Sequence, residues 1–236
     1  MNKIIKYPLK ILGTGSYFPK KILTNNNIKL NSINPDNIPN SEWVIKKLGI
    51  HKRHIVENEL SSDLGYYSAI EALKNANLNI NDIDLIITNT SSPDRISPST
   101  ACIIQDLLNP RKNIPSFDLG AVCSGFLYSL DISSQLLNKY KNILIISTET
   151  YSKFTDYNNR NSVFFGDGSA SIIITKGTSG WYSGNIYADG KGKENFTVHH
   201  GKNFKMNGKE VYNTGIKVLP EAILKILKDT NTNIDE

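Results

Sequence analysis

The chain has 236 residues, of which 39% are hydrophobic and 21% are charged, with 16 glycines and 9 prolines. This composition allows a packed core and excludes a disordered or collagen-like chain. Lys and Arg number 27 and Asp and Glu number 22, and the net charge of +5 is spread out rather than gathered in a basic run. The distribution disfavours a nucleic-acid-binding protein and is compatible with a ligand that carries phosphate.

The sequence contains no segment typical of a membrane protein. No stretch approaches the ~18 consecutive apolar residues of a membrane-spanning helix, and the amino-terminal segment lacks the apolar core of a signal peptide. We therefore expect a cytoplasmic protein with no membrane partner. In that compartment the two cysteines, Cys102 and Cys123, are expected to be free thiols.

The predicted secondary structure alternates between strands and helices. Short apolar runs predict strands over residues 4–13, 83–87, 114–119, 142–147, 170–175 and 181–188. Apolar residues spaced three and four apart predict helices over 62–77, 98–108, 124–137 and 210–228, with a further helix starting at Ser41. Pro220 is expected to kink or divide the last helix. The alternation predicts an α/β fold in layers.

The segment from Phe117 to Phe126 combines a strand, a turn of small residues and the start of a helix. Cys123 falls at that helix start, where unpaired backbone N–H groups favour a thiolate over a thiol. The same amides could hold an oxyanion formed by attack on a thioester carbonyl. From these residues alone two interpretations stay open, a nucleophile or a small buried side chain. Cys102, beside two isoleucines in a predicted helix, is expected to lie in the core.

Several weaker motifs carry no function by themselves. The segment Gly13-Thr14-Gly15 resembles the opening of a dinucleotide-binding loop but lacks the third glycine, so we reject that interpretation. The segment Phe165–Ser169 is compatible with a simple turn. The histidines, which are His51, His54, His199 and His200, lack the spacing of metal ligands, so no metal is predicted.

A set of segments in a fixed order is more specific than any one motif. These segments are residues 11–19, 41–44 with 48–50, 53–55, 90–94, 98–102, 117–119 with 123–126, 165–170 and 208–212. Together they resemble β-ketoacyl-acyl-carrier-protein synthase III, a family of the thiolase-like superfamily. The resemblance spans nearly the whole chain.

The resemblance implies a layered α/β/α/β/α fold made of two similar halves, and usually a homodimer. The first half would cover residues 1–178 and carry Cys123, and the second, incomplete half would begin in residues 179–236. The implied activity is that of an acyltransferase in fatty-acid or related biosynthesis. Cys123 would take an acyl group from acyl-coenzyme A and condense it with a decarboxylating malonyl group on an acyl carrier protein, without a cofactor.

The resemblance also assigns the residues that bind coenzyme A. They are Trp43 and Arg160 for the adenine, Lys47 for the phosphates, and Met206, Asn207 and Gly208 for the pantetheine tunnel. An indole and a guanidinium both stack on a flat base, which makes the first assignment chemically reasonable. The distance in sequence from Arg160 to Gly166 is one residue shorter than the family pattern. Without the resemblance, Trp43 would simply pack a short helix and Arg160 would be a solvated charge.

The sequence departs from the family in one respect. The family uses a histidine in a Pro-His-Gln-Ala-Asn-like segment and a later asparagine, and the given sequence stops before the strand that leads to them. We expect impaired condensation in such a truncated chain, with apolar faces and a sheet edge exposed. The alternatives are a non-catalytic protein that only dimerises or binds acyl-coenzyme A, and a related acyltransferase with a different acceptor.

Overall fold

The computed structural model describes residues 7–178 and 180–235, and it is built around a five-stranded sheet. The strands are β1 (Tyr7–Pro8), β2 (Lys10–Tyr17), β3 (Lys21–Thr24), β4 (Lys52–Ile55), β5 (Leu85–Asn89), β6 (Ser116–Leu119), β7 (Asn142–Thr150), β8 (Asp167–Thr175), β9 (Trp181–Tyr182), β10 (Phe196–Thr197) and β11 (Lys205–Met206). The helices are α1 (Asn25–Asn31), α2 (Ser41–Leu48), α3 (Ser61–Ala76), α4 (Thr100–Leu108), α5 (Gly125–Leu136) and α6 (Gly208–Thr230). This architecture confirms the predicted α/β fold class.

The main sheet is mixed, with the strand order β2-β8-β7-β5-β6. The three strands β7, β5 and β6 run parallel, whereas β2 and β8 pair antiparallel with each other, and β8 pairs antiparallel with β7. Because β7, β5 and β6 are parallel, their carboxyl ends meet at one edge of the sheet. In open α/β sheets this edge is the usual place for a ligand site.

Helices cover both faces of the main sheet. Alternate residues of β5 and β7 point to opposite faces, as the pleat requires. On one face Ile86 and Leu144 pack with Ala69 of α3 and Ile104 of α4. On the other face, residues of the sheet pack against α5 and the residue after it. The sheet residues are Leu85, Ile87, Ile143, Ile145 and Ile174, and those of α5 and its end are Leu130, Leu136 and Leu137. The two cores make the sheet the middle layer of an α/β/α sandwich.

The prediction for the first strand is partly wrong, because β2 continues through Gly13 and Gly15 to Tyr17. A Cβ on Gly13 would lie 2.5 Å from the Ala72 carbonyl oxygen, and a Cβ on Gly15 would overlap the Ser68 carbonyl. These glycines therefore allow α3 to lie close against β2 rather than form a turn. The first residues of the predicted strand, 4–6, lie outside the described residues.

Cys102 is exposed, so the expectation that it lies in the core is wrong. The buried face of α4 consists of Ala101, Ile104 and Leu108, which recur at three- and four-residue spacing. Cys102 falls beside that face, and its Sγ donates to the carbonyl oxygen of Ser116, 3.6 Å away in β6.

The region after β8 is packed differently from the sandwich. The predicted strand over 181–188 is reduced to β9, and α6 runs as one helix through Pro220 rather than being divided there. α6, described over its whole length, has no buried residue. The predicted division of the chain into 1–178 and 179–236 stays a prediction, since Ser179 lies outside the described residues.

A third, smaller core holds the elements that carry part of the predicted ligand site. Ile28 of α1 and Val44 of α2 pack with Ile38 and with Val163 of the 3-10 turn Arg160–Val163. This contact brings α2 next to that turn. Over the described ranges, 7–178 and 180–235, no helix is both long and apolar enough to span a membrane.

Candidate active site

Cys123 lies at the carboxyl edge of the parallel strands, between β6 and α5. It is the middle residue of the 3-10 turn Val122–Ser124, which leads directly into α5, and it is exposed. Val122 has a φ of +47°. A left-handed conformation is costly for a β-branched residue, so the surrounding structure must hold this turn in place.

Asn89 at the end of β5 fixes the approach of α5 to the sheet. A Cβ on Gly125 would overlap the Asn89 amide group, so only glycine fits at the first residue of α5. The Oδ1 atom of Asn89 is buried and has no hydrogen-bond donor among the residues that the structure describes. The contact places the start of α5, and with it Cys123, against the carboxyl edge of the sheet.

The sequence analysis expected unpaired backbone N–H groups around Cys123, but two amides of this turn already donate hydrogen bonds. The Ser124 amide donates to the Ala121 carbonyl at 3.1 Å, and the Gly125 amide donates to the Val122 carbonyl. These two amides are engaged within the turn. The amide of Cys123 itself is the candidate donor for an oxyanion on an acyl group bound to its sulfur.

The predicted coenzyme-binding residues line one cavity of about 840 Å³. Its lining includes all six of them, namely Trp43, Lys47, Arg160, Met206, Asn207 and Gly208. Trp43 and Arg160 also line an adjoining hollow of about 440 Å³. The structure therefore brings together residues from three separate parts of the sequence, while their individual roles stay predictions.

Local hydrogen bonds position the two sides of this cavity. On one side Asn40 caps α2 by accepting from the Trp43 amide at 2.8 Å. On the other side the Asn161 side chain donates to the Met206 carbonyl at 3.1 Å, and Asn207 caps α6. Asn161 follows Arg160 directly, so the turn that carries the arginine is tied to the 206–208 segment.

The charged residues that line the cavity are all basic. They are Lys47 and Arg160, together with Lys209, which the sequence analysis did not single out. Lys209 directly follows Gly208, and its position next to a predicted ligand residue is the clue that was missed. A mouth lined by three cations attracts an anionic ligand such as a phosphate ester.

A half-buried carboxylate near the same sheet edge was also missed. Glu149, close to the end of β7, accepts hydrogen bonds at 2.8 Å from the amide and from the hydroxyl of Ser91, and at 2.5 Å from the hydroxyl of Ser92. Burial raises the pKa of Glu149 above its usual range, and these hydrogen bonds oppose that effect. Only its position in an apolar strand could have indicated burial.

The segment Phe165–Ser169 holds more than a turn. The buried carboxylate of Asp167 accepts hydrogen bonds from the Val56 amide at 2.7 Å, the Ser152 amide at 2.8 Å and the Ser152 hydroxyl at 2.5 Å. It thereby fixes the 3-10 turn Tyr151–Phe154, which follows β7 at the same edge as Cys123.

The four histidines are half-buried or exposed. His54 is half-buried in β4, where its Nδ1 lies 2.6 Å from the Pro19 carbonyl oxygen, and His51, His199 and His200 are exposed. Within 7–178 and 180–235, three or more His, Cys, Asp or Glu side chains nowhere come close enough to share a metal ion.

Comparisons with known proteins agree with this architecture. Residues 117–190 match the family described as 3-oxoacyl-(acyl-carrier-protein) synthase III. A β-ketoacyl-acyl-carrier-protein synthase III from Clostridium acetobutylicum is 36% identical over 97% of this chain and 74% of its own length. The enzyme of the same name from Ehrlichia canis is 38% identical over 95% of this chain and 73% of its own length. The crystal structure of the Aquifex aeolicus synthase III has a TM-score of 0.87, at 32% identity over 97% of this chain and 74% of that one.

The fold and the family match define a thiolase-like condensing acyltransferase. The chain belongs to the β-ketoacyl-acyl-carrier-protein synthase III family, which confirms the predicted resemblance. It is an enzyme of the acyltransferase type with a role in fatty-acid biosynthesis, and enzymes of this family need no cofactor.

Proposed function

We propose that Cys123 takes the acyl group of an acyl-coenzyme A whose coenzyme occupies the cavity lined by Trp43 and Arg160. The observation that carries this proposal is the convergence of the six predicted ligand residues on that one cavity. Phe164 also lines the cavity, and its ring lies 6.3 Å from that of Phe165. The Phe165 ring is 5.1 Å from that of Tyr151, at the sheet edge where Cys123 lies.

The acylation step transfers the acyl group between two sulfur atoms. The Cys123 sulfur attacks the thioester carbonyl, the Cys123 amide donates to the developing oxyanion, and the bond from carbon to the coenzyme sulfur breaks. The proton lost by the thiol ends on the sulfur of free coenzyme A. The products are acyl-Cys123 and coenzyme A.

The coenzyme is held by stacking and by charge. The indole of Trp43 and the guanidinium of Arg160 would enclose the adenine, while Lys47 and Lys209 would neutralise phosphates. Met206, Asn207 and Gly208 would line the path of the pantetheine arm. The half-exposed indole and the exposed guanidinium at the cavity mouth support this arrangement.

The acyl acceptor in the proposal is malonyl-acyl carrier protein. Loss of carbon dioxide from the malonyl group leaves a carbanion that attacks acyl-Cys123, which yields a β-ketoacyl thioester and frees the cysteine. The net charge of +5 is compatible with an acidic carrier protein. A cytoplasmic location belongs to the same proposal.

We further propose that the enzyme acts as a homodimer. β6 is an edge strand of the main sheet, and Phe117 on β6 and Val122 beyond it are 40% and 43% exposed. A free strand edge beside apolar side chains favours pairing with a second copy. Light scattering is expected to give twice the chain mass of 26.3 kDa, and a stable monomer would contradict this proposal.

Intact-protein mass spectrometry after incubation with acetyl-coenzyme A tests the acylation. We expect a single acetyl adduct that peptide mapping places on Cys123, and no adduct on the matched variant Cys123→Ser. Trp43→Ala should keep the adduct but weaken the apparent affinity for the thioester, by up to about 10-fold for loss of one stacking contact.

Other results would favour the alternatives. Binding of coenzyme A to folded protein without an adduct would overturn acyl transfer and support a non-catalytic, ligand-binding protein. An adduct that transfers to an acceptor other than malonyl-acyl carrier protein would support a related acyltransferase.

A further inference from the structure

Arg53 of β4 is a buried cation that has no part in the proposed function, and it is only 5% exposed. Its guanidinium donates to the Leu23 carbonyl of β3 at 3.2 Å, to the Asn25 Oδ1 atom at 2.7 Å and to the Val163 carbonyl at 3.1 Å. Over residues 7–178 and 180–235, no carboxylate lies within ion-pair distance of this guanidinium. Two backbone carbonyls and one side-chain amide therefore hold the charge in place of a counter-ion.

One of these hydrogen bonds fixes the turn that carries Arg160. Val163, whose carbonyl accepts from Arg53, is the last residue of the 3-10 turn that begins at Arg160. The Val163 side chain is fully buried in the same small core as Val44 of α2, the residue that follows Trp43. Because the turn is only four residues long, holding its last residue also sets the position of its first.

A second hydrogen bond of the same guanidinium reaches α2, which carries Trp43, through one relay residue. The relay is Asn25, which is 1% exposed and accepts from Arg53. Its Nδ2 atom donates to the Ile50 carbonyl at 2.9 Å and to the Ser41 hydroxyl at 3.4 Å. Ser41 is the first residue of α2, and Ile50 lies just beyond the end of that helix. Asn25 therefore connects Arg53 to both ends of α2.

The chemistry of the guanidinium suits this connection. A single nitrogen atom of Arg53, Nη2, donates to both Asn25 and Val163, so the two acceptors are held at one fixed separation. Arginine presents its N–H donors in a rigid planar fork, whereas lysine has a flexible point charge. In a buried site each unmade hydrogen bond is costly, so the complete set favours one arrangement of the two segments.

We propose that Arg53 is a positioning residue for coenzyme binding, because it sets the spacing between the Trp43 indole and the Arg160 guanidinium. This inference rests on the proposed function, since it concerns the same coenzyme site. Arg53 does not itself line the cavity, so it acts through the two segments that do. Two stacking groups that are already in place bind a flat base without the cost of ordering them. Arg53 therefore affects affinity for the coenzyme rather than acyl transfer to Cys123.

Two thioesters separate this role from a general structural role. Acetyl-coenzyme A carries the adenine, whereas S-acetyl-N-acetylcysteamine has only the thiol end of the pantetheine arm. Growth of the Cys123 adduct is measured by intact-protein mass spectrometry at several thioester concentrations. We expect Arg53→Lys, which keeps the charge and loses the fork, to weaken the apparent affinity for acetyl-coenzyme A by about 10-fold. The maximal rate with acetyl-coenzyme A and the rate with the truncated thioester should stay unchanged.

Two further variants support the measurement. Arg111→Lys makes the same change at an exposed arginine after α4 and should leave all three quantities unchanged. Asn25→Asp keeps the acceptor for Arg53 and removes the donor to Ile50 and Ser41, so it should produce the same selective loss of affinity. If Arg53→Lys does not fold, Asn25→Asp supplies the test.

The outcomes distinguish the inference from the proposed function. An equal loss of acylation with both thioesters in the folded variants would show a structural role only. That result, or an unchanged affinity for acetyl-coenzyme A, overturns the inference and leaves the proposed function intact. If neither thioester gives an adduct on the unmodified chain, the proposed function is overturned and this inference with it.

Discussion

The main sandwich and the region after β8 bury their apolar residues to very different degrees. β5 is buried at every position, and the strands beside it pack against helices on both faces. In contrast, α6 has no buried residue over its described length, and Leu219 and Leu224 are 64% and 65% exposed. A segment of the chain can therefore line the ligand cavity even where its residues are not buried in the core.

The region after β8 supplies ligand contacts although its helix buries nothing. Met206, Asn207 and Gly208 line the cavity, and the rings of Phe196 and Phe204 stack on each other with centroids 5.7 Å apart. These residues are held by backbone contacts to the 150–161 segment, such as the bond from Phe204 to Phe154. The site therefore depends on both regions, and stability is expected to depend mainly on the first.

The sharpest test of this comparison is a matched pair of leucine substitutions. Leu144→Ala removes a fully buried side chain from β7 and should lower the free energy of unfolding by about 3 kcal/mol, because a cavity remains. Leu224→Ala removes an exposed side chain of the same size from α6 and should change it by less than about 0.5 kcal/mol. Urea denaturation measures both. Equal losses would show that α6 contributes to the same core.

A pair of glycine substitutions compares the two regions at the backbone. Gly125→Ala should lower the free energy of unfolding by about 2 kcal/mol and reduce acylation of Cys123, since the new Cβ overlaps the Asn89 amide. Gly215→Ala in α6 meets no atom within 4 Å and should stabilise the protein by up to about 1 kcal/mol through helix propensity. Denaturation and the acetylation assay check the pair. A harmless Gly125→Ala would mean that the start of α5 can move away from β5.

The smallest expected change concerns the pH dependence of stability. Because burial raises the pKa of Glu149 in the folded protein, its contribution to stability is complete below the unfolded pKa and is lost as the pH rises through the folded pKa. The variant Glu149→Gln lacks this titration. Its stability relative to the unmodified protein should therefore increase between pH 4 and pH 7, as measured by urea denaturation across that range.

The exposed residue Glu221 on α6 provides the control for this measurement. Glu221→Gln should leave the shape of the pH profile as it is in the unmodified protein. A Glu149→Gln profile parallel to that of the unmodified protein would contradict the assigned burial effect.

Much of the fold was predictable from periodicity and local chemistry. The helix predicted over 98–108 is confirmed as α4, and Ser99 caps it by accepting from the Cys102 amide. Errors arose where tertiary contacts decided the outcome. Gly13 and Gly15 look like turn residues in the sequence, and they lie within β2 because α3 packs against them.

The residues of the candidate site also divide into those that local sequence could predict and those that only tertiary contacts could place. Cys123 at a helix start could be predicted, because a strand, small residues and a helix pattern follow one another there. Glu149 and Tyr151 could not, since their local sequence gives no indication of the residues that surround them. Their place at the carboxyl edge of the sheet follows from the order of β7, β5 and β6.

The amino-acid sequence by itself determined the α/β layers, the family and the position of Cys123 at a helix start, because these depend on patterns within short segments and on their order. Only the tertiary structure decided that Trp43, Arg160 and Met206 share one cavity, and that aromatic rings from two distant segments fill the space beside Tyr151. The physical reason is that contacts between distant residues depend on the strand order and on close packing of layers, and neither is encoded in any single segment.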